Sequence, residues 1–318
     1  MMTIEITPLA TLCNEFSEVI VSHPEYAEAM ECILRGVEAT KMRGEPASVL
    51  LTGEPGTGKS TVAKMALTHF GEERIVETDT GTTRIIPTIR CSLPAGATIK
   101  SLTVSMLQAL GSNSENGNIS TLFKRLVTLL KTCQTEIIVL DEFDNLLRKG
   151  ADRTREQVCD WVRTLLNEAL IPVVIVGIPT CEEIVNDHPQ LSRRYPYRHT
   201  MSHFTYSALD PASTFSKTLR ALSAAIKRIG GFDDCIMLNT DQPLKAMYLA
   251  TGGNMNGMRQ ILNDAFRLAL IRNDGTFGLR DLIAAGDLSF IPTAFYQKNV
   301  FRLTDESLNK LISGVKAK

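Results

Sequence analysis

The chain has 318 residues, 44% hydrophobic and 22% charged, with 34 Lys and Arg against 35 Asp and Glu. That length and balance allow one large domain or two modest ones around a packed core, and no internal repeat or low-complexity block interrupts them. The formal net charge of −1 excludes a global basic field, so any nucleic-acid contact has to come from local patches.

In chain order, "MMTIEITPLATLCNEF" carries acidic residues and no basic n-region, and no later apolar run reaches the roughly 18 residues of a membrane span. Neither a signal peptide nor a membrane helix is expected. Residues 1–45 read as a helical lead-in, with "PEYAEAMECILRGVEATKMRG" apolar at three- and four-residue spacing and a helix start near His23 and Pro24. Across 46–205, the β-branched runs "SVLLT", "RIIPTIRCSL", "EIIVLD" and "PVVIVG" alternate with helical stretches such as "SLTVSMLQALG" and "TREQVCDWVRTLLNEAL". The pattern predicts βαβ units around a mostly parallel sheet, an α/β core.

Over 206–284 the strand signal fades, and "PASTFSKTLRALSAAIKRI", "QPLKAMYLATGG" and "NGMRQILNDAFRLALIRNDG" predict a small all-helical domain punctuated by glycines. Residues 285–318 read as a tail with one short helix. Its "FIPTAFYQ" clusters aromatics either for a docking partner or for packing on the helical domain. Seven cysteines at 13, 32, 91, 133, 159, 181 and 235 form no C-x-x-C and no metal-ligand spacing with the five histidines; they read as reduced thiols of a cytoplasmic protein.

The strongest motif is "GEPGTGKST", where Gly53, Gly58, Lys59 and Ser60 fill G-x-x-x-x-G-K-[ST] between a strand-like and a helix-like segment. Glycines let backbone N–H groups turn inward around an oxyanion, and the following helix points its positive end at the same place. Gly53, Glu54, Pro55, Gly56, Thr57, Gly58, Lys59, Ser60 and Thr61 are thus the expected triphosphate cradle. Lys59 is placed for the β- and γ-phosphates and the Ser60 hydroxyl for Mg²⁺. The plainer alternative is a glycine turn before a surface helix.

In "EIIVLDEFDNLL", Asp141 ends an apolar run as an Mg²⁺-side carboxylate should, and Glu142 is placed to polarise an attacking water. The alternative is a pair of acids at a helix start. No N-K-x-D base-reading motif of GTPases occurs, and nothing suggests the acceptor pocket of a small-molecule kinase. After "IPVVIVGIPT", Thr180 either contacts the γ-phosphate or the water, or caps the helix that begins "CEEIVND".

In "DHPQLSRRYPYRH", Arg193 and Arg194 fall beyond the core. At a domain edge they are out of reach of their own phosphate and suit a neighbour's, where a guanidinium offsets transition-state charge; an exposed arginine pair also reads as a solvated face. Arg259 opens a helix of the second domain, where the dipole disfavours a cation. It reads as a nucleotide contact or as a surface arginine with a compensating anion.

With Gly53 to Ser60, Asp141 and Glu142, the "QLSRRY" box and Gly257 to Arg259 in this order, the chain resembles the AAA+ ATPases over roughly residues 23 to 285. More closely it resembles the TniB/TnsC-like transposition ATPases, in "HPEYAEAM", "LPAGATIKSLTVSMLQALG", "DEFDNLL", "NEALIPVVIVGIPT" and "DHPQLSRRY". The resemblance implies an AAA+ core with a helical lid, ATP and Mg²⁺ as cofactors, and a trans-acting arginine at Arg193 or Arg194. Arg194 is preferred because it directly precedes the aromatic residue. It implies an ATPase that assembles with itself into rings or helical filaments around duplex DNA, recruits a transposase and answers to a target-selector protein. Some members serve CRISPR-associated transposons, but no residue here assigns that subset.

For DNA the candidates are Lys100 in "GATIKSL" and the cluster Arg148, Lys149, Arg153 and Arg155 in "RKGADRTRE", expected on the phosphate side of the sheet. Two other functions fit the same core. One is a helicase loader or replication initiator, which usually adds a DNA- or helicase-binding module; no helix-turn-helix signature is apparent. The other is a nucleotide-switched signalling ATPase that contacts only proteins.

Overall fold

The computed structural model describes residues 8–78, 81–94, 96, 98–112, 116–147, 152–207 and 212–316. The chain divides into two units, residues 25–202 and residues 1–24 together with 203–318. The expected lead-in is therefore shared. Helix α1 (Pro8–Glu18) belongs to the second, helical unit, and nearly all of α2 (Pro24–Arg43) belongs to the first.

The first unit then runs β1 (Val49–Gly53), α3 (Lys59–His69), β2 (Arg74–Thr78), β3 (Gly81–Ile85), β4 (Thr88–Ser92), α4 (Ile99–Ala109), α5 (Ile119–Thr132) and β5 (Ile137–Asp141). After a three-ten turn at Phe143–Leu147 come α6 (Asp152–Ala169), β6 (Val173–Gly177), α7 (Cys181–Asn186), α8 (Pro189–Ser192) and β7 (Tyr197–Met201). Five strands form one parallel sheet in the order β4-β5-β6-β1-β7. Every residue of β1, β5 and β6 is buried, as a sheet covered on both faces requires.

The period-two alternation of the strands sorts their side chains between two cores. Leu50, Ile138, Leu140, Val173 and Ile175 join the core built with α4, α5 and α6. Val49, Leu51, Ile137, Val139, Val174 and Val176 join the one built with α2 and α3. Each such side chain contributes roughly 1.5–3 kcal/mol by leaving water. The ends are capped locally: Thr98 and Ser101 form a capping box on α4, and the Asn118 side chain accepts from Thr121 N–H at 2.9 Å on α5.

Two sequence expectations change. "RIIPTIRCSL", expected as one run, divides at Ile86–Pro87; its first part pairs antiparallel with β2 as a hairpin, and only the second enters the main sheet. The hairpin and the fifth strand, β7, carry too many exposed polar residues to announce themselves by hydropathy.

The second unit packs α1 with α9 (Thr214–Gly230), α10 (Asp241–Thr251), α11 (Met255–Arg272), α12 (Leu279–Leu288) and α13 (Asp305–Lys316). Its only sheet among the described residues joins β8 (Asp234–Cys235) to β9 (Thr276–Phe277). Residues beyond 285 are part of this core, since Ile291, Val300, Phe301, Leu308 and Ile312 are buried in it. In "FIPTAFYQ" the Ile291 side chain points inward while Phe290 stays 71% exposed. Among the described residues no helix is long and apolar enough to cross a membrane, and the seven cysteines are unpaired thiols.

Candidate nucleotide-binding site

The parallel sheet brings the ends of β1, β5 and β6 to one edge: Thr52 lies beside Gly177, and Asp141 beside Ser92. Such an edge is where open α/β sheets hold ligands. From β1 the chain turns through Glu54–Gly58 into α3, with Gly53, Gly56 and Gly58 at φ 157°, 80° and 97°. These left-handed values disfavour any residue with a Cβ. At Gly58 a Cβ would also overlap the hydroxyl of Tyr26, a buried residue of α2 packed under the loop. Gly58 has no side chain to cap α3, so the positive end of the helix is left to an anion.

Lys59 Nζ donates to the carbonyls of Gly53 at 2.7 Å and Glu54 at 3.0 Å, which holds the ammonium across the loop. Burial lowers its pKa from the ordinary lysine value, and Asp144, Asp141 and Glu54 oppose that shift. Thr57, buried, closes the loop through its hydroxyl to Glu54 O at 2.9 Å. Ser60 and Thr61, half-buried, occupy the first turn of α3.

Asp141 is 3% exposed. Its Oδ2 accepts from Arg90 Nη2 at 2.6 Å and its Oδ1 from the Glu142 N–H at 2.9 Å. A hydroxyl at Ser60 and a carboxylate at Asp141 are hard oxygen donors, the set that suits Mg²⁺ shared with a nucleotide phosphate. Among the described residues no three His, Cys, Asp or Glu side chains converge as a separate metal site.

Arg90 was not expected from the sequence, although a lone charge inside the apolar run "IIPTIRCSL" signals a partner. Its register beside Val139 puts it on the same sheet face as Asp141. Arg90→Ala removes the compensating charge from a buried carboxylate, so unfolding should come earlier by about 1–3 kcal/mol, the Arg90 side chain being 30% exposed. The loss should shrink when Mg²⁺ and nucleotide are added, because the dication supplies the missing charge; thermal melts with EDTA and with Mg²⁺–nucleotide measure both.

Glu142 follows at φ 58°, left-handed for a residue with a side chain, and is exposed at the sheet edge. Strain of this kind costs of order 1 kcal/mol or more and persists where a site needs a particular direction. Thr180 lies three residues beyond Gly177, exposed, at the start of α7, and its hydroxyl makes no capping bond there.

The two arginines lie at the opposite end of the sheet. Arg194 follows α8, and its carbonyl accepts from the N–H of Ser48, the residue before β1, at 2.7 Å. The five residues of β1, roughly 16 Å of strand, therefore separate it from the P-loop edge. Its guanidinium meets Glu45 Oε2 at 3.0 Å and Asn167 Oδ1 at 3.1 Å, while Arg193 is exposed.

In the helical unit, Arg259 of α11 donates through Nη2 to the Phe16 carbonyl, with its guanidinium carbon 4.6 Å from the Phe16 ring centroid. Lys100 is exposed in the first turn of α4, and Arg155 is half-buried on α6. Arg148 and Lys149 lie outside the described residues, as does the side chain of Arg153.

Known structures share this architecture. An ORC2 protein of Aeropyrum pernix, solved as ADPNP–ADP complexes, is 12% identical with a TM-score of 0.62, covering 86% of this chain and 70% of that one. The ORC1 protein of the same organism in complex with DNA gives 17% and 0.58, covering 88% and 69%. Drosophila ORC bound to DNA gives 16% and 0.54, covering 90% and 67%. At these identities the likeness establishes the fold alone. No curated protein sequence matches the chain. Residues 16–204 match the family described as Bacterial TniB protein, a span that takes in α2, the P-loop, Asp141, Glu142 and the arginine pair. The chain belongs to the TniB family.

Proposed function

We propose that this protein is an ATP-dependent regulator of DNA transposition. ATP with Mg²⁺ sits on residues 53–61, with Ser60 and Asp141 toward the cation and Glu142 activating water. Thr180 senses the γ-phosphate, and Arg259 reports the nucleotide state to the helical unit. Arg194, with Arg193, completes the site of the next copy, so that bound ATP makes the interface of a ring or filament and hydrolysis dismantles it. The observation that carries this reading is the placement of the P-loop and Arg194 at opposite ends of β1, which suits a head-to-tail assembly. Membership of the TniB family supports the roles of the assembly: to coat duplex target DNA and to link a target selector to a transposase.

The DNA surface we assign to Lys100 and to the outward face of α5, where Lys124, Arg125 and Lys131 are exposed on a helix without an acidic residue. Arg148, Lys149, Arg153 and Arg155 stay candidates on their sequence. Contacts of this kind read phosphates, not bases.

The test is fluorescence anisotropy of a labelled duplex with protein and a non-hydrolysable ATP analogue over a salt series. Affinity should fall steeply with salt, and Lys100→Glu with Lys124→Glu should lower it about tenfold or more while flattening the salt slope by about one to two. Nucleotide binding with no salt-dependent DNA affinity would favour the signalling ATPase instead. The fold shared with ORC proteins keeps the replication-initiator reading alive; binding confined to a particular origin-like sequence would favour it.

A further inference from the structure

A second charged cleft lies at the end of the sheet remote from the P-loop. Its volume is about 300 Å³, and it is lined by Glu45, Arg163, Asn167, Gln190, Arg193 and Arg194. Three guanidinium groups line it against the Glu45 carboxylate, and Arg163 Nη2 also donates to the exposed Asp160 Oδ1 at 3.3 Å beside it, which still leaves the pocket cationic. Arg163 and Asn167 stand one turn apart on α6, so both reach the same side of that helix. Arg163 Nη1 donates to Gln190 Oε1 at 2.6 Å, and its Nε is buried without a hydrogen-bond partner among the described residues.

The wall bearing the arginine pair is fixed. Arg198 of β7 donates to Glu182 at 2.7 Å, Asn186 at 2.8 Å, Ser192 Oγ at 2.9 Å and the Tyr195 carbonyl at 3.2 Å. These bonds tie α7, α8 and β7 into one platform. Within the cleft, by contrast, the acid is loosely held. The Glu45 side chain is 74% exposed, so its ion pair with Arg194 is of the weak, screened kind. A phosphate offers three acceptor oxygens and more charge to the same guanidinium, and displaces such a carboxylate readily.

We propose that this cleft receives the terminal phosphate of a nucleotide held by a second copy of the chain. Arg163 is a further phosphate-binding guanidinium beside Arg193 and Arg194, and Glu45 is the built-in anion that the incoming phosphate displaces. This rests on the reading that Arg194 acts on a neighbour, and adds to it a third cation and a brake on assembly.

The test is sedimentation velocity of the full chain with Mg²⁺ and a non-hydrolysable ATP analogue over a range of protein concentrations. Binding of a fluorescent ATP to dilute subunits and thermal melts are followed in parallel. Arg163→Ala should raise the concentration for half-assembly about tenfold, and Arg163→Lys, which keeps the charge but not the fork, should raise it less. Glu45→Gln should lower that concentration about three- to tenfold, since an anion competitor is gone. Dilute-subunit nucleotide binding should be unchanged in all three.

If Arg194→Ala weakens assembly while Arg163→Ala and Glu45→Gln behave as the wild type, the inference is overturned and the neighbour reading stands. If Arg194→Ala also leaves assembly unchanged, the neighbour reading falls with it. A loss of nucleotide binding by dilute Arg163→Ala, at an unchanged melting temperature, places Arg163 in its own subunit's site and overturns the inference as well.

Discussion

Replacing Glu142 with Gln is expected to slow ATP turnover by about two to three orders of magnitude while leaving ATP binding intact, because general-base activation of a water contributes about that much. Gln keeps the length and hydrogen-bonding shape of Glu but cannot take a proton. The backbone is little affected. The left-handed turn at φ 58° and the bond from the Glu142 backbone N–H to the Asp141 carboxylate at 2.9 Å use no atom of the Glu142 side chain and survive the change. With hydrolysis blocked, an assembly glued by nucleotide has no exit, so the variant should remain on duplex DNA as oligomers long after dilution. Phosphate release and electron micrographs of the diluted sample give the two readings. A Glu142→Gln protein that stays monomeric at saturating ATP and ignores duplex DNA would sink the proposed mechanism.

The P-loop and Asp141 were legible in the sequence because their chemistry is local: a glycine turn between a strand and a helix, and an acid at the end of a buried run. The contacts that complete the site were not, because sheet order creates them. Arg90 meets Asp141 across 51 positions and Glu45 meets Arg194 across 149, and an apolar run says nothing about which strand lies next to it. Tyr26 was inside a segment singled out for its resemblance to a family, yet only the packing of α2 under the loop shows that its hydroxyl fixes Gly58.

The division of the chain was obscured for a related reason. Phe16 of α1 packs against Phe266 of α11, ring centroids 4.8 Å apart, a pairing of residues 250 positions distant. Residues 285–318 read as a tail, for docking or for packing on the helical domain, because the apolar spacing of the last stretch is weak in sequence. Leu308 and Ile312 of α13, one turn apart, are enough to bury it in the helical core.

Arg194→Ala should abolish nucleotide-dependent self-association and cut turnover by about a thousandfold, the scale on which a trans-acting arginine contributes. It should barely change the fold, since the Ser48 bond uses the carbonyl and the lost side-chain contacts are surface pairs worth less than about 1 kcal/mol. Loss of activity alone does not tell a neighbour's arginine from a subunit's own, so the decisive sample is a mixture. Lys59→Ala subunits lack the phosphate-binding ammonium but still present Arg194; Arg194→Ala subunits bind ATP but lack the guanidinium. Each alone is inactive, whereas a mixed interface sets the ATP of one against the Arg194 of the other and is complete. Turnover should therefore reappear on mixing, peak near equal proportions and depend on total protein concentration, all followed by phosphate release. Recovery absent at every ratio, from two variants that melt like the wild type, would mean that the roughly 16 Å of β1 between P-loop and Arg194 is not bridged by a neighbouring copy.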